Sequence, residues 1–339
     1  FMARGKVYNR IYNEQEWNEV CKFNKRLMED YLLEMKSQKK KESSIKQYRN
    51  DLRILFLYIY KELENKPISK LKKKHFRNYS LWLSEECGMS NARVNRLLSA
   101  LRSLLEYATN EEEWEDEGLE VNYAAKVKSL PREESREIHF LTDEQVEKIY
   151  NYLIENEEYQ KATFLSIMYD SAGRRNEISQ VEKHNILESN MTNKVIGKRG
   201  KVFTLIYFDR TKKAAELWLN QRGEDDIDSL WVVGKGENKR QASYESLYVW
   251  VMEFCKILEK LEGEYIPFNP HSFRHSALDN LSNGTHYVCR LMAEKKGVEE
   301  FKYDIQTLKL MAHHSDLSTT DGYLKDRSDE VLMSSFDLI

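Results

Sequence analysis

Apolar residues recurring three and four positions apart constrain this chain more than any other feature. Ile45, Tyr48, Leu52, Leu55 and Ile59 follow that spacing, and so do Val94, Leu97, Leu101, Leu104 and Ala108. The spacing lines side chains along one face of an α-helix, while strand-like alternation is scarce in the first half. Ser44 and Gln47 have the spacing of a capping box ahead of the first helix. Leu71 to Ser84 reads as a second helix closed by Gly88, and a third opens near Ser90-Asn91. The polar, aperiodic stretch Lys126 to Arg136 holds one of only four prolines and reads as a linker. Beyond it, Thr142 and Gln145 form a second capping-box pattern, and a helix from about Ala162 stops near Gly173. Lys194 to Phe208 alternates like a hairpin broken at Gly197 and Gly200, with helices expected from Lys212 onward. The predicted division is 1–38 as an N-terminal segment, 39–130 as a helical domain, 131–139 as linker, and 140–339 as a mixed domain with a C-terminal tail.

A chain of 339 residues has room for two ordinary domains. With 41% hydrophobic and 32% charged residues it reads as globular rather than disordered. No apolar run approaches bilayer length and the first residues lack a signal-peptide core, so a cytoplasmic protein without membrane contact is expected. The four cysteines are far apart and form no CxxC pair, which argues against a disulfide framework or a cysteine zinc site. A net charge of −3 does not advertise a polyanion partner, but the charge is uneven. Lys39 to Lys41, Lys72 to Lys74, Lys198 to Lys201 and Lys212-Lys213 contrast with the acidic run Glu111 to Glu117. Local basic surface, rather than the total, is what captures phosphates. Arg93, Arg96 and Arg102 lie off the apolar stripe of their helix, where such a partner would meet them.

The residues with most chemistry come late. Pro270 precedes His271-Ser272-Phe273-Arg274-His275, and three-residue spacing puts His271 and Arg274 on one helix face. Further on stand His313-His314 and, nine residues after His314, Tyr323. Arg forks onto phosphate oxygens, His relays protons and Tyr serves as a covalent nucleophile, a set suited to phosphodiester transfer. His271 and His275 are also four apart, as in a helical zinc motif, but Ser272 stands where that motif requires Glu, so no metal is expected.

In these motifs the chain resembles the tyrosine recombinases, or phage integrases. The segment Ser171-Ala172-Gly173-Arg174-Arg175-Asn176-Glu177-Ile178 is similar to the family's first arginine motif, and counting back three from Glu177 selects Arg174 over Arg175. Val195 to Lys201 resembles the family's lysine hairpin, favouring Lys198, with Lys201 as second choice. The later Val232 to Arg240 has the same texture around Lys235 but falls where the family has a loop before a helix. HSFRH matches the HxxR motif, and Met311-Ala312-His313-His314 stands where the family has LLGH. The resemblance also reaches the helical first half, less specifically, and so covers nearly the whole chain.

It implies a mainly α-helical, two-domain fold with a small β-hairpin in the catalytic domain. It implies a site-specific recombinase working through a 3′-phosphotyrosyl intermediate, with Arg174, Lys198, His271, Arg274, His314 and Tyr323 as its catalytic set. Double-stranded DNA would be the partner, met also by Arg93, Arg96, Arg102, Lys72, Lys73 and Lys201. No cofactor is implied, because the covalent link conserves the bond energy. Family members work as synaptic tetramers, sometimes with an accessory protein, and the apolar tail Val331 to Ile339 would dock into a neighbour. Two features depart from the pattern: 40 residues separate Arg274 from His314, with the extra material around Asn283 to Tyr303, and His313 replaces the usual glycine. A DNA-binding regulator on the same scaffold and a type IB topoisomerase stand as the alternative readings.

Overall fold

The computed structural model describes residue 8 and residues 10–131, 138–313 and 324. It divides into two compact units, Phe1–Arg136 and Glu137–Ile339.

The first unit is built from α1 (Glu14–Glu19), α2 (Lys22–Ser37), α3 (Glu42–Glu62), α4 (Lys73–Leu81), α5 (Asn91–Ala108) and the short α6 (Glu112–Asp116). Helix α3 begins at Glu42, two residues ahead of the expected cap, and Gln47 instead bonds Asp51 at 3.1 Å. The period marked Leu52, Leu55 and Ile59 as inward, but Ile54, Phe56, Leu57 and Tyr58 are buried as well. The second half of α3 is therefore enclosed on all sides, as in a helix at the centre of a bundle. Trp17, Leu27, Met28 and Leu32 of α1 and α2 belong to the same core. Regular helix in α4 ends at Leu81 and widens into a π turn through Glu86, before Gly88 turns the chain at φ +61°.

In the second unit, α7 (Asp143–Glu155) starts on the expected capping box: the Thr142 hydroxyl accepts from the Gln145 amide at 3.2 Å, and the Thr142 amide donates back to Gln145 at 3.1 Å. Helix α8 (Tyr159–Ser171) is buried from Ala162 to its end, making it the axis of this unit. Phe164 on α8 meets Trp231 and Trp250 edge-on at 5.3 and 5.4 Å. Around α8 lie α9 (Arg175–Ile178), α10 (Asp209–Arg222), α11 (Tyr244–Glu262), α12 (Pro270–Asn283), α13 (Tyr287–Lys296) and α14 (Ile305–Met311). Strands β1 (Val195–Ile196) and β2 (Val202–Phe203) form the expected antiparallel hairpin, with Val195 opposite Phe203. A second hairpin, β3 (Val232–Val233) with β4 (Arg240–Gln241), interrupts the run of helices expected after Lys212. The glycine-rich turn carrying Lys235 folds back here because Gly234 takes φ +84° with the Asn238 carbonyl packed against it.

The extra material after α12 forms a helix. Gly284 caps α12 in the left-handed region and α13 follows, burying Val288, Cys289 and Ala293. Its Tyr287 hydroxyl donates to the fully buried Asp170 at 2.7 Å, and Asp170 also accepts from Thr211 at 2.7 Å and the Phe208 amide at 3.1 Å. This network braces the end of α8, four residues ahead of Arg174. Among the described residues no helix is long and apolar enough to cross a membrane.

Candidate active site

Four segments far apart in sequence meet at the end of α8. Ala172 closes that helix in the left-handed region at φ +48°, and Gly173 follows where a side chain would lie 2.9 Å from the Ser171 hydroxyl and 3.1 Å from Ile178. The turn presents Arg174 just before α9. Glu177, almost fully buried, accepts from the Arg174 backbone amide at 2.8 Å and from its guanidinium at 3.0 Å. Arg174 keeps partial exposure on its outer side. Arg175 turns the other way: its guanidinium stacks on Tyr244 at 3.5 Å and donates to the Tyr244 carbonyl at 3.0 Å.

The second segment is the start of α12. Asn269 caps it, accepting from the amides of His271 at 2.9 Å and Ser272 at 3.4 Å, and Pro270 occupies the first turn where no amide partner is needed. Arg274 lies one turn in and is only 2% exposed. It donates to the Ala172 carbonyl and, at 2.6 Å, to the Ala312 carbonyl. One buried guanidinium thus joins the end of α8 to the end of α14. His271 stands at the surface beside His275, their rings edge to face at 4.8 Å. Desolvation first, then the charges of His275, Arg274 and Arg174, hold its pKa down to about 4. At neutral pH the ring is uncharged, the state a proton acceptor requires.

The third segment is the β1–β2 hairpin. Gly197 passes so close that a side chain there would lie 2.5 Å from the Phe203 ring and 3.3 Å from Glu177. Lys198 opens the Lys198–Gly200 turn, exposed, and makes no ion pair among the described residues. Lys201 leaves the turn with its ammonium 3.5 Å from the His313 carbonyl. The fourth segment is the end of α14, where Ala312 and His313 meet both Arg274 and the hairpin. Arg174, Arg274, His271 and Lys201 are therefore brought together, and Lys198 borders them on the hairpin. His314 and Tyr323 lie outside the described residues, as does the tail.

Sequence reasoning used Glu177 only to set the register of the arginine motif; in the structure it orients Arg174. The Arg-x-x-Glu spacing was its one signal. The Asp170 network and the packing of His313 had none, because they join residues 38 to 117 positions apart.

In the first unit the three arginines expected to meet DNA each have a partner within the chain. Arg93 and Arg96 both pair with buried Asp51, at 3.0 and 2.6 Å. Arg102 donates to the carbonyls of Ala124 at 3.4 Å and Val127 at 2.8 Å. Lys72 sits on the Tyr123 ring at 4.5 Å, while Lys73 is exposed.

A buried arginine, a partly exposed one, an uncharged histidine and the hairpin lysines are groups whose chemistry suits binding and protonating a phosphodiester. Comparison with known proteins agrees. The phage integrase family matches residues 139–294, and the N-terminal SAM-like domain of phage integrases matches residues 27–116. The SPbeta prophage-derived recombinase-like protein YomM of Bacillus subtilis is 27% identical, over 91% of this chain and 88% of that protein. Tyrosine recombinase XerC of Staphylococcus saprophyticus is 23% identical, over 88% of this chain and 92% of its own. Among solved structures, the Tn1549 transposon integrase in complex with transposon right end DNA superposes with a TM-score of 0.64 at 14% identity, covering 92% of this chain and 98% of that one. A lambda integrase dimer bound to a core site gives 0.62 at 14% identity, covering 89% and 77%. The chain belongs to the phage integrase family, the tyrosine recombinases, and its fold is theirs. Its activity is of that class, site-specific DNA recombination by tyrosine chemistry.

Proposed function

We propose that Tyr323 attacks a scissile phosphate of double-stranded DNA while Arg174 and Arg274 hold its nonbridging oxygens. The bond between the tyrosine oxygen and phosphorus forms as the bond from phosphorus to the 5′ oxygen breaks. The phenolic proton passes to His271, and the departing 5′ oxygen takes a proton from the hairpin lysine, Lys198 or its neighbour Lys201. His314 donates a hydrogen bond to the phosphate. The free 5′-hydroxyl then attacks the phosphotyrosyl link of a partner strand, so no outside energy source is needed. The observation that carries this reading is the convergence of three groups on the turns at Ala172 and His313: Arg174 held by Glu177, Arg274 held by two backbone carbonyls one helical turn after His271, and Lys201 of the hairpin.

In this reading residues 39–130 also bind the duplex, and copies assemble on DNA as a tetramer, each passing its C-terminal tail to a neighbour. A lambda integrase tetramer bound to a Holliday junction is among the similar structures. The protein works in the cytoplasm, where its DNA is. One observation favours the regulator as a second reading: Arg274 is buried and two of its nitrogens already serve protein carbonyls.

A nicked suicide substrate carrying the selected binding site separates the two. A protein–DNA adduct stable in SDS, formed by the native chain and lost in Tyr323→Phe, is the expected result. Specific binding without an adduct from either protein would overturn the recombinase assignment of this site and favour the regulator.

A further inference from the structure

His313 occupies a backbone conformation that suits glycine. Its φ is +53°, in the left-handed region, which costs a residue with a Cβ about 1 kcal/mol. Such a conformation persists only where neighbouring contacts hold it. Here the imidazole lies flat on the Phe203 ring, centroids 3.7 Å apart and planes 25° from parallel. Its Nε2 is 3.2 Å from the Thr204 carbonyl. A carbonyl only accepts, so Nε2 carries the proton and donates. From the other side, Lys201 reaches the His313 carbonyl and Arg274 the Ala312 carbonyl. Burial, with the nearby Lys201 and Arg274 charges, holds the ring's pKa below the ordinary 6.5 against the opposing pull of the Thr204 carbonyl.

A glycine at this position would turn the chain equally well but would touch neither Phe203 nor Thr204. The side chain thus adds something the turn itself does not need: it fastens the end of α14 to β2, the strand that leaves the lysine turn. The next residue in sequence is His314, and Tyr323 follows nine further on.

We propose that His313 is a positioning residue that fastens the lysine hairpin to the segment leading into His314 and Tyr323, and so sets where the proton donor stands as the bond to the 5′ oxygen breaks. This rests on the recombinase reading above. His313 does not touch the reacting atoms; it acts through the hairpin lysine. Without it the tyrosine oxygen still attacks phosphorus, but the departing oxygen waits for its proton.

The test compares two suicide substrates, one with the natural 5′ oxygen at the scissile phosphate and one with a bridging 5′ sulfur. A thiolate leaves without being protonated, so the sulfur substrate does not need the lysine. His313→Gly keeps the turn and removes the clasp. Its adduct formation should slow by about tenfold to a hundredfold on the oxygen substrate and stay within about twofold of the native chain on the sulfur substrate, with DNA affinity unchanged. His313→Asn, which tolerates positive φ and retains a side-chain donor for the Thr204 carbonyl, should recover part of the rate. Phe203→Leu removes the stacking partner from the opposite side, leaves the turn untouched and should show the same sulfur-rescued defect. Native rates on both substrates, or equal slowing on both, would overturn the inference. A native chain that forms no adduct on either substrate, like Tyr323→Phe, would overturn the function and the inference with it.

Discussion

Replacing Arg274 by lysine tests whether one guanidinium holds the site together. Its nitrogens serve the Ala172 carbonyl and the Ala312 carbonyl, which lie beside the two left-handed turns at Ala172 and His313. Lysine keeps the charge but, with a single ammonium on a flexible stem, satisfies only one of the two. A hydrogen bond from a charged donor is worth about 1.5–3 kcal/mol, and a buried carbonyl left without a partner costs a comparable amount. Because the ammonium is still charged and more strongly hydrated than the guanidinium, no desolvation cost is recovered, and the net loss should be at least about 2 kcal/mol. Hydrogen exchange read by mass spectrometry resolves this locally and needs no assumption that both units unfold together. The amides of Gly173, Ala312 and His313, bonded to Ser171, Leu308 and Leu310, should exchange about 30-fold faster in Arg274→Lys. Those of α3 in the first unit should be unchanged. Arg274→Met, similar in length and unable to donate, should lose more, about 3–5 kcal/mol, since both carbonyls are then unpaired. If Arg274→Met left these amides as protected as in the native chain, the argument that Arg274 bridges the two turns would be wrong.

Four further outcomes follow from other parts of the structure. Of Lys198→Met and Lys201→Met, the proton donor is the one whose cleavage defect disappears on the sulfur substrate; slowing that persists on sulfur marks a lysine that only binds phosphate. Arg102→Gln should destabilise the first unit by about 1–3 kcal/mol while leaving the salt dependence of DNA binding unchanged, since its donors serve Ala124 and Val127. Lys73→Gln should do the reverse, reducing the slope of log affinity against log salt by about 1 with no change in unfolding midpoint. His286 is fully buried against the Tyr169 ring, and burial followed by the Arg210 charge holds its pKa well below the ordinary 6.5. The unfolded chain therefore takes up a proton that the folded chain refuses, so stability is complete above pH 6.5 and falls as pH drops below it. His286→Asn should flatten that fall in urea titrations between pH 5 and 7, leaving the share due to His75, His271 and His313; an unaltered slope would exclude His286 as its source.

Much of the molecule was legible from local pattern. Helical spacing marked α3 and α5, the capping box at Thr142 marked the start of α7, and Gly197 with Gly200 marked the hairpin, because each of these depends on residues within a few positions of one another. The pairing of Pro270 with HxxR, and the Arg174 to Glu177 spacing, likewise carried the family and its chemistry. Local pattern failed where a residue's role is set by what lies across from it. Off-stripe position pointed Arg93, Arg96 and Arg102 toward DNA but did not reveal their partners within the chain, Asp51 on the neighbouring helix and the Ala124 and Val127 carbonyls. The texture around Lys235 resembled the lysine hairpin closely enough that only chain order separated them; the fold makes both hairpins. Residues 14–37 carried no assigned period, yet they complete the core of the first unit.

The sequence by itself thus determined the helices, the family and the identity of the arginine and histidine motifs, because those are written in short-range spacing. Tertiary structure alone decided that Arg274 joins two turns 140 residues apart and that His313 trades the ease of glycine for a hold on Phe203 and Thr204. A buried charge or a strained turn is stable only when partners from elsewhere in the chain converge on it, and that convergence exists only once the chain has folded.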